Sequence, residues 1–238
     1  MKYLLICAVL AGMAGCSFNN VDNADELKTY FDSAHVKGCF CLYDNGRGEF
    51  TLYNRDWYLK RFPPGATFNL LTTLIGVQTG KVFDEKTLIG GTTLTEAFRN
   101  DSTAYFMALA RMLGKDTMDR RIGAMGYGNM DTTGAVDSLA LDGKLTISPD
   151  EQLGMIKKLY FDLLPFQHRT QNVVKGLMER EKNEQYTLAY IQSPGWVVGW
   201  IQEGHHPYFF VLSFEGQAEG VPLAKDILKG QGFFKGVK

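Results

Sequence analysis

The chain has 238 residues, of which 45% are hydrophobic and 21% charged, with a formal net charge of −1. That composition supports a folded core, and 13% aromatics with only 7 prolines exclude a disordered chain. Near-neutral charge with no basic run leaves no electrostatic footprint for nucleic acid, which is excluded as a partner.

The chain opens as an export signal. Lys2 provides a positive start and YLLICAVLAGMAG an apolar run too short for a stable bilayer span. The run ends in small residues before Cys16, at Met13 to Cys16. Two readings stand: a lipoprotein signal cleaved before Cys16, which would then carry lipid on its sulfur, or an ordinary secretory signal with a chance cysteine. The first gives a signal peptide over 1–15, a polar tether over 16–26 and one folded domain over 27–238. It places the protein in a bacterial cell envelope, lipid-anchored through Cys16 on the periplasmic side or the outer membrane.

Cys39 and Cys41 lie two apart in GCFCLYD, on one face of a strand, a spacing that rarely makes an unstrained disulfide. The four histidines are scattered, so no metal site and no cofactor are expected. GCFCLYDNGRGEFTLYN predicts a hairpin turning at Asn45-Gly46. PPGATFN stops the preceding segment and starts a helix at about Ala66 that continues through LLTTLIGVQ to a C-cap at Gly80. LTEAFRNDSTAYFMALARMLGKD predicts a second helix with one apolar face, with Ser102 near its start. A third runs over Pro149 to Tyr160 with Ser148 as its cap. Glu179 to Glu184 is a mixed charge run, expected as a solvated helix end or loop. TLAYIQ, WVVGWIQ and YFFVLSFE are strand-like, parted by SPG and by EGHHP, the latter a surface turn holding His205 and His206. The order predicts an α+β fold, an antiparallel β-sheet packed by helices.

In that order the segments resemble the class D serine β-lactamases and the penicillin-binding, transpeptidase-like fold to which they belong. RFPPGATFNLLTTLIGVQTG is similar to the segment carrying the family's S-x-x-K motif, NDSTAYFMALARMLG to its S-x-V region and GYGNMDTTGAVDSLALDGKLTISPDEQ to the stretch around Y-G-N. WVVGWIQEGHHPYFFVLSFE is similar to its last two strands. The resemblance implies a serine nucleophile and a lysine base one turn on. Ala66 and Asn69 occupy those two positions. Alanine has no atom that attacks, and a carboxamide is not a base. Thr67 points about 100° away on a helix, so burial or a bond to backbone is expected for it.

The resemblance further implies a cleft lined by Thr67, Ser102, Tyr127, Gly128, Asn129, Gly195 and Trp196. Ser102 stands for the S-x-V serine, with a helix cap as an equal alternative. Tyr127-Gly128-Asn129 matches Y-G-N in full, the alternative being a simple turn. At the K-T-G motif only Gly195 remains, with Ser193 and Pro194 in place of Lys and Thr. Pro194 would remove a donor from a strand edge, and the following connection is about ten residues shorter than expected. Ala224 falls where the resemblance implies a carboxylate-binding arginine, and Ala140 where it implies a tryptophan shielding the lysine. Trp196 and Trp200 offer a pocket wall or core packing.

These residues predict a catalytically inactive homologue with a penicillin-binding-type cleft, used for a cell-wall component such as peptidoglycan, a β-lactam-like ligand or a protein partner. The alternative is an active or residual serine β-lactamase.

Overall fold

The computed structural model describes residues 20–238, so the signal peptide over 1–15 and the lipidation position Cys16 lie outside the described residues. The strands are β1 (Val21–Asn23), β2 (Lys37–Asp44), β3 (Glu49–Tyr53), β4 (Leu88–Ile89), β5 (Thr92–Thr93), β6 (Glu179–Lys182), β7 (Tyr186–Ser193), β8 (Trp196–Glu203) and β9 (His206–Glu215). The helices are α1 (Lys28–Ser33), α2 (Arg55–Leu59), α3 (Asn69–Gln78), α4 (Leu94–Arg99), α5 (Thr103–Leu113), α6 (Lys115–Met125), α7 (Pro149–Tyr160), α8 (His168–Met178) and α9 (Gly220–Gly230). Seven strands form one sheet in the order β1-β3-β2-β9-β8-β7-β6, and β4-β5 form a separate short hairpin. Every pair in the large sheet is antiparallel except β1 with β3. The α+β class read from the sequence is the class observed.

Both faces of the sheet are covered, and the period of two sorts its side chains into two cores. Cys39, Cys41, Phe209 and Val211 face the layer containing α3, α5, α7 and α8, with Leu70, Leu74, Ile75 and Ile156 against them. Phe40, Leu42, Phe210 and Leu212 face the other way, against Phe31 of α1 and Leu223, Ile227 and Leu228 of α9. Burial on both sides explains why β2 and β9 are almost continuously apolar. α3 is buried from Leu70 to Val77, a core helix rather than an amphipathic one.

Several expectations need correction. The stretch expected as a tether to residue 26 is folded from Val21: β1 pairs with β3, and Ala24 and Leu27 are buried. The expected second helix starts at Ser102 as α5, and Asn100-Asp101, with Asp101 at φ +51, separates it from a further helix, α4, that was not expected. A Thr93–Glu96 capping box starts α4, and Ser102 starts α5. The run from Glu179 is the edge strand β6, where alternating charges suit a sheet margin. The hairpin closes as a wider loop, Gly48 N–H donating to the Asp44 carbonyl at 2.8 Å. His206 opens β9, and its Nε2 meets Asp44 Oδ1 at 2.7 Å, so it ties two strands instead of idling in a turn. Pro194 occupies the turn joining β7 to β8, with Ser193 paired to Trp196, so no strand-edge donor is lost there. The Ser148–Glu151 capping box and the left-handed Gly80 sit as the sequence predicts.

Candidate functional site

The prolines and glycine of Phe62-Pro63-Pro64-Gly65 build the head of the central helix. Phe62 is held by paired backbone bonds to Ile147, both 2.9 Å. Gly65 has φ +53, and a Cβ there would lie 2.4 Å from the Ser193 hydroxyl, so glycine lets β7 approach the turn. A single 3₁₀ turn, Gly65–Phe68, leads into α3. The Ala66 N–H, one of the donors a helix start leaves unpaired, donates to Ser193 Oγ at 2.9 Å. Trp196 Nε1 donates to the Pro63 carbonyl at 3.0 Å, and Phe214 N–H to the Gly195 carbonyl at 2.9 Å. β7, β8 and the helix head are thereby locked together.

Two cavities flank Ala66. The larger, about 610 Å³, is an open cleft between the helix head and the β7–β8 turn; Ala66, Asp101, Thr103, Ser193, Trp196 and Glu215 are among its walls. The smaller, about 60 Å³, is bounded by Ala66, Asn69, Phe106, Val136 and Ala140. The structure therefore brings together the three positions at which a nucleophile, a base and its shield were implied, filled by a methyl group, a carboxamide and a methyl group. The loop that carries Ala140 is tied down by Arg111 Nε donating to Asp137 Oδ2 at 2.6 Å.

Other implied cleft residues are not in the cleft. Thr67 is fully buried: its hydroxyl donates to the Pro64 carbonyl at 2.7 Å and accepts from Gln152 Nε2 at 2.6 Å. Its turn from Ala66 follows from the helical twist. Ser102 Oγ accepts from Tyr105 N–H at 3.4 Å as the cap of α5, and Thr103 takes its place in the wall. Tyr127 packs its ring edge against Phe68 from behind, and with Gly128 it borders a different cavity of about 550 Å³. Gly128, at φ +55, would put a Cβ 2.0 Å from the Thr146 carbonyl oxygen. Asn129 spends its amide on the loop, donating to the Lys144 carbonyl at 2.7 Å and accepting from Thr146 N–H at 3.0 Å. The Y-G-N stretch is a brace for the helix, not a wall of the cleft. Gly195 and Trp196 do line it. Trp200 lies in the core against Tyr160. Ala224 lies on the buried side of α9, on the opposite face of the sheet, and Lys225 is ion-paired with Glu181.

The two described cysteines are not activated thiols. Burial pushes the Cys41 thiol up to about 12 and the Cys39 thiol well above its ordinary value, so both stay protonated in the core. Tyr127 is raised by burial too, and its hydroxyl makes no hydrogen bond among the described residues, although Thr67 and Gln152 are its polar neighbours. In the cleft the perturbed group is Asp101, raised to about 6 by burial against the opposing charge of Arg180. Among the described residues, no lysine, arginine or histidine lines either cavity beside Ala66. No group of three or more potential metal ligands occurs among the described residues.

Asp101, Thr103 and Glu215 are wall residues that the sequence reading missed. For Asp101 the Asn100-Asp101 pair was a turn signal beside an expected cap. Thr103 and Glu215 carry no local signal, since only the meeting of α5 with the end of β9 puts them in one wall.

Residues 38–200 match the family described as Transpeptidase: Penicillin binding protein transpeptidase domain, and the chain belongs to that family. It is homologous to the class D β-lactamases. It is 30% identical over 258 residues to "Probable beta-lactamase YbxI" of Bacillus subtilis, covering 97% of each chain. The crystal structure of a class D β-lactamase from Bacillus subtilis superposes with a TM-score of 0.81 at 31% identity, covering 88% of this chain and 96% of that one. The C-terminal domain of the Bacillus licheniformis BlaR penicillin-receptor superposes with a TM-score of 0.82 at 26% identity, covering 90% and 97%.

Proposed function

We propose that this protein is a catalytically inactive, non-acylating member of the family, a binding domain held at a bacterial envelope membrane by lipid on Cys16. The observation that carries the reading is the pairing of Ala66 with Asn69 at the head of α3, both facing one cavity that no lysine, arginine or histidine lines among the described residues. Acyl transfer needs an atom to form the bond and a base to take its proton. Losing one oxyanion donor slows a hydrolase by ~10²–10³; losing the attacking atom removes the covalent route itself.

The cleft survives that loss, at about 610 Å³ within the range of small-ligand sites. The similarity to the C-terminal domain of the Bacillus licheniformis BlaR penicillin-receptor supports a binding use of this fold. The envelope placement rests on the signal pattern ending at Cys16. The test is hydrolysis of the chromogenic cephalosporin nitrocefin by the purified domain: the expected rate is that of buffer, and turnover well above it would favour a residual β-lactamase.

A further inference from the structure

We propose that the cleft beside Ala66 takes a ligand bearing a primary ammonium group, held between the carboxylates of Asp101 and Glu215 against aromatic walls; this deepens the reading of the chain as a non-acylating binding domain. Among the described residues, the charged ones lining the cleft are both acids and no basic residue lines it. Asp101 is half-buried, and among the described residues no hydrogen bond or ion pair reaches its carboxylate. It is presented by the break between α4 and α5, where its left-handed backbone fixes the approach. Burial already works against its charge, which a ligand cation would relieve.

The nearest protein cations are spent elsewhere. Arg180 donates to the carbonyls of Tyr190 and Phe98 and lies over both of their rings. Lys60 stacks on Phe62, its Nζ 5.1 Å from the ring centre, outside the cleft. That contact shows the Phe62 ring already receiving a cation on one face, and Trp196 adds further aromatic surface to the wall.

The donor side points the same way. A carboxylate ligand is best held by a cation or several free N–H groups, and several of the cleft's N–H groups are spent or missing. Pro63 and Pro194 have none. The Ala66 N–H is taken by Ser193, the Trp196 indole by Pro63 and the Phe214 N–H by Gly195. Among the described residues the charged side chains of the lining are carboxylates alone, which favours a cation over an anion.

The ammonium could be carried by a small amine or by a peptide lysine, and calorimetric titration distinguishes them. The probes are benzylamine and Nα-acetyl-lysine amide, with benzoate and the Nε-acetylated lysine amide as uncharged or anionic counterparts. The expected result is at least tenfold tighter binding of one or both amines than of benzoate, reduced fivefold or more by Asp101→Asn combined with Glu215→Gln. Tighter binding of the lysine amide assigns a peptide, tighter binding of benzylamine a small amine. Asparagine tolerates the left-handed backbone at 101, and a cooperative melt no lower than the parent's for each single variant shows that the fold is intact. Benzoate binding as tightly as the better amine, no measurable amine binding, or a loss under fivefold in the double variant would overturn the proposal. Nitrocefin turnover would instead overturn the non-acylating reading, whatever the amines do.

Discussion

Ser193→Ala tests how the helix head is held. The variant removes the acceptor of the Ala66 N–H, a 2.9 Å bond. If that amide were left dry, the cost would be a stranded buried donor, about 1–3 kcal/mol; if water replaces the hydroxyl, only the net worth of the bond is lost, about 0.5–1.5 kcal/mol. Ala66 and Ser193 both line the open cleft of about 610 Å³, so water has access and the lower range applies. About 1 kcal/mol corresponds to a fall of roughly 2–4 °C in melting temperature for a domain of this size. Scanning calorimetry measures that shift, and hydrogen exchange reports the Ala66 amide directly, with faster exchange expected in the variant. An unchanged melting temperature together with unchanged exchange would refute the contact, and a loss beyond about 3 kcal/mol would refute water access to it.

Other expectations follow from the same packing. Thr67→Val strands the Gln152 amide in the core, while the Pro64 carbonyl keeps the residue-67 N–H at 3.2 Å. It should cost about 1–3 kcal/mol in chemical unfolding at unchanged m-value. Gly128→Ala combines a left-handed backbone with a Cβ 2.0 Å from the Thr146 carbonyl. It should cost about 3 kcal/mol or more, read as a melting temperature lower by roughly 6 °C or more. Asp101 supplies a pH dependence. Its folded-state value of about 6 lies above the ordinary carboxyl value, so the folded protein holds the proton more readily than the unfolded chain. Its ionisation therefore opposes folding above about pH 6, and the penalty disappears as pH falls toward 4. Between pH 7 and pH 5 the melting temperature of the parent should rise relative to Asp101→Asn, and parallel curves would contradict this.

Much of the architecture was legible because it rests on local signals. The hairpin around Asp44 to Gly48, the Ser148 cap before Pro149 and the three closing strands each declare themselves within a dozen residues. β1 was not legible: VDN is polar, and only pairing with β3 and the burial of Ala24 and Leu27 make it part of the fold. β6 was missed for a related reason, since EREK is charged throughout and reads as solvated unless the adjacent β7 is known. At the site, the sequence exposed the two substitutions on α3 because both fall within one helical turn. It did not reveal that Tyr127-Gly128-Asn129 faces away from the cleft, because a motif match preserves backbone position and not what each side chain meets. The contact between Ser193 and Ala66 spans 127 residues of chain, and no spacing rule reaches that far.

The most direct test is intact-protein mass spectrometry after prolonged incubation with excess benzylpenicillin. The account predicts the unmodified mass throughout, since neither Ala66 nor Asn69 forms an acyl bond and Cys39 and Cys41 are sealed in the core. A mass increase equal to one opened penicillin, located by peptide mapping to a cleft residue such as Thr103 or Ser193, would contradict it.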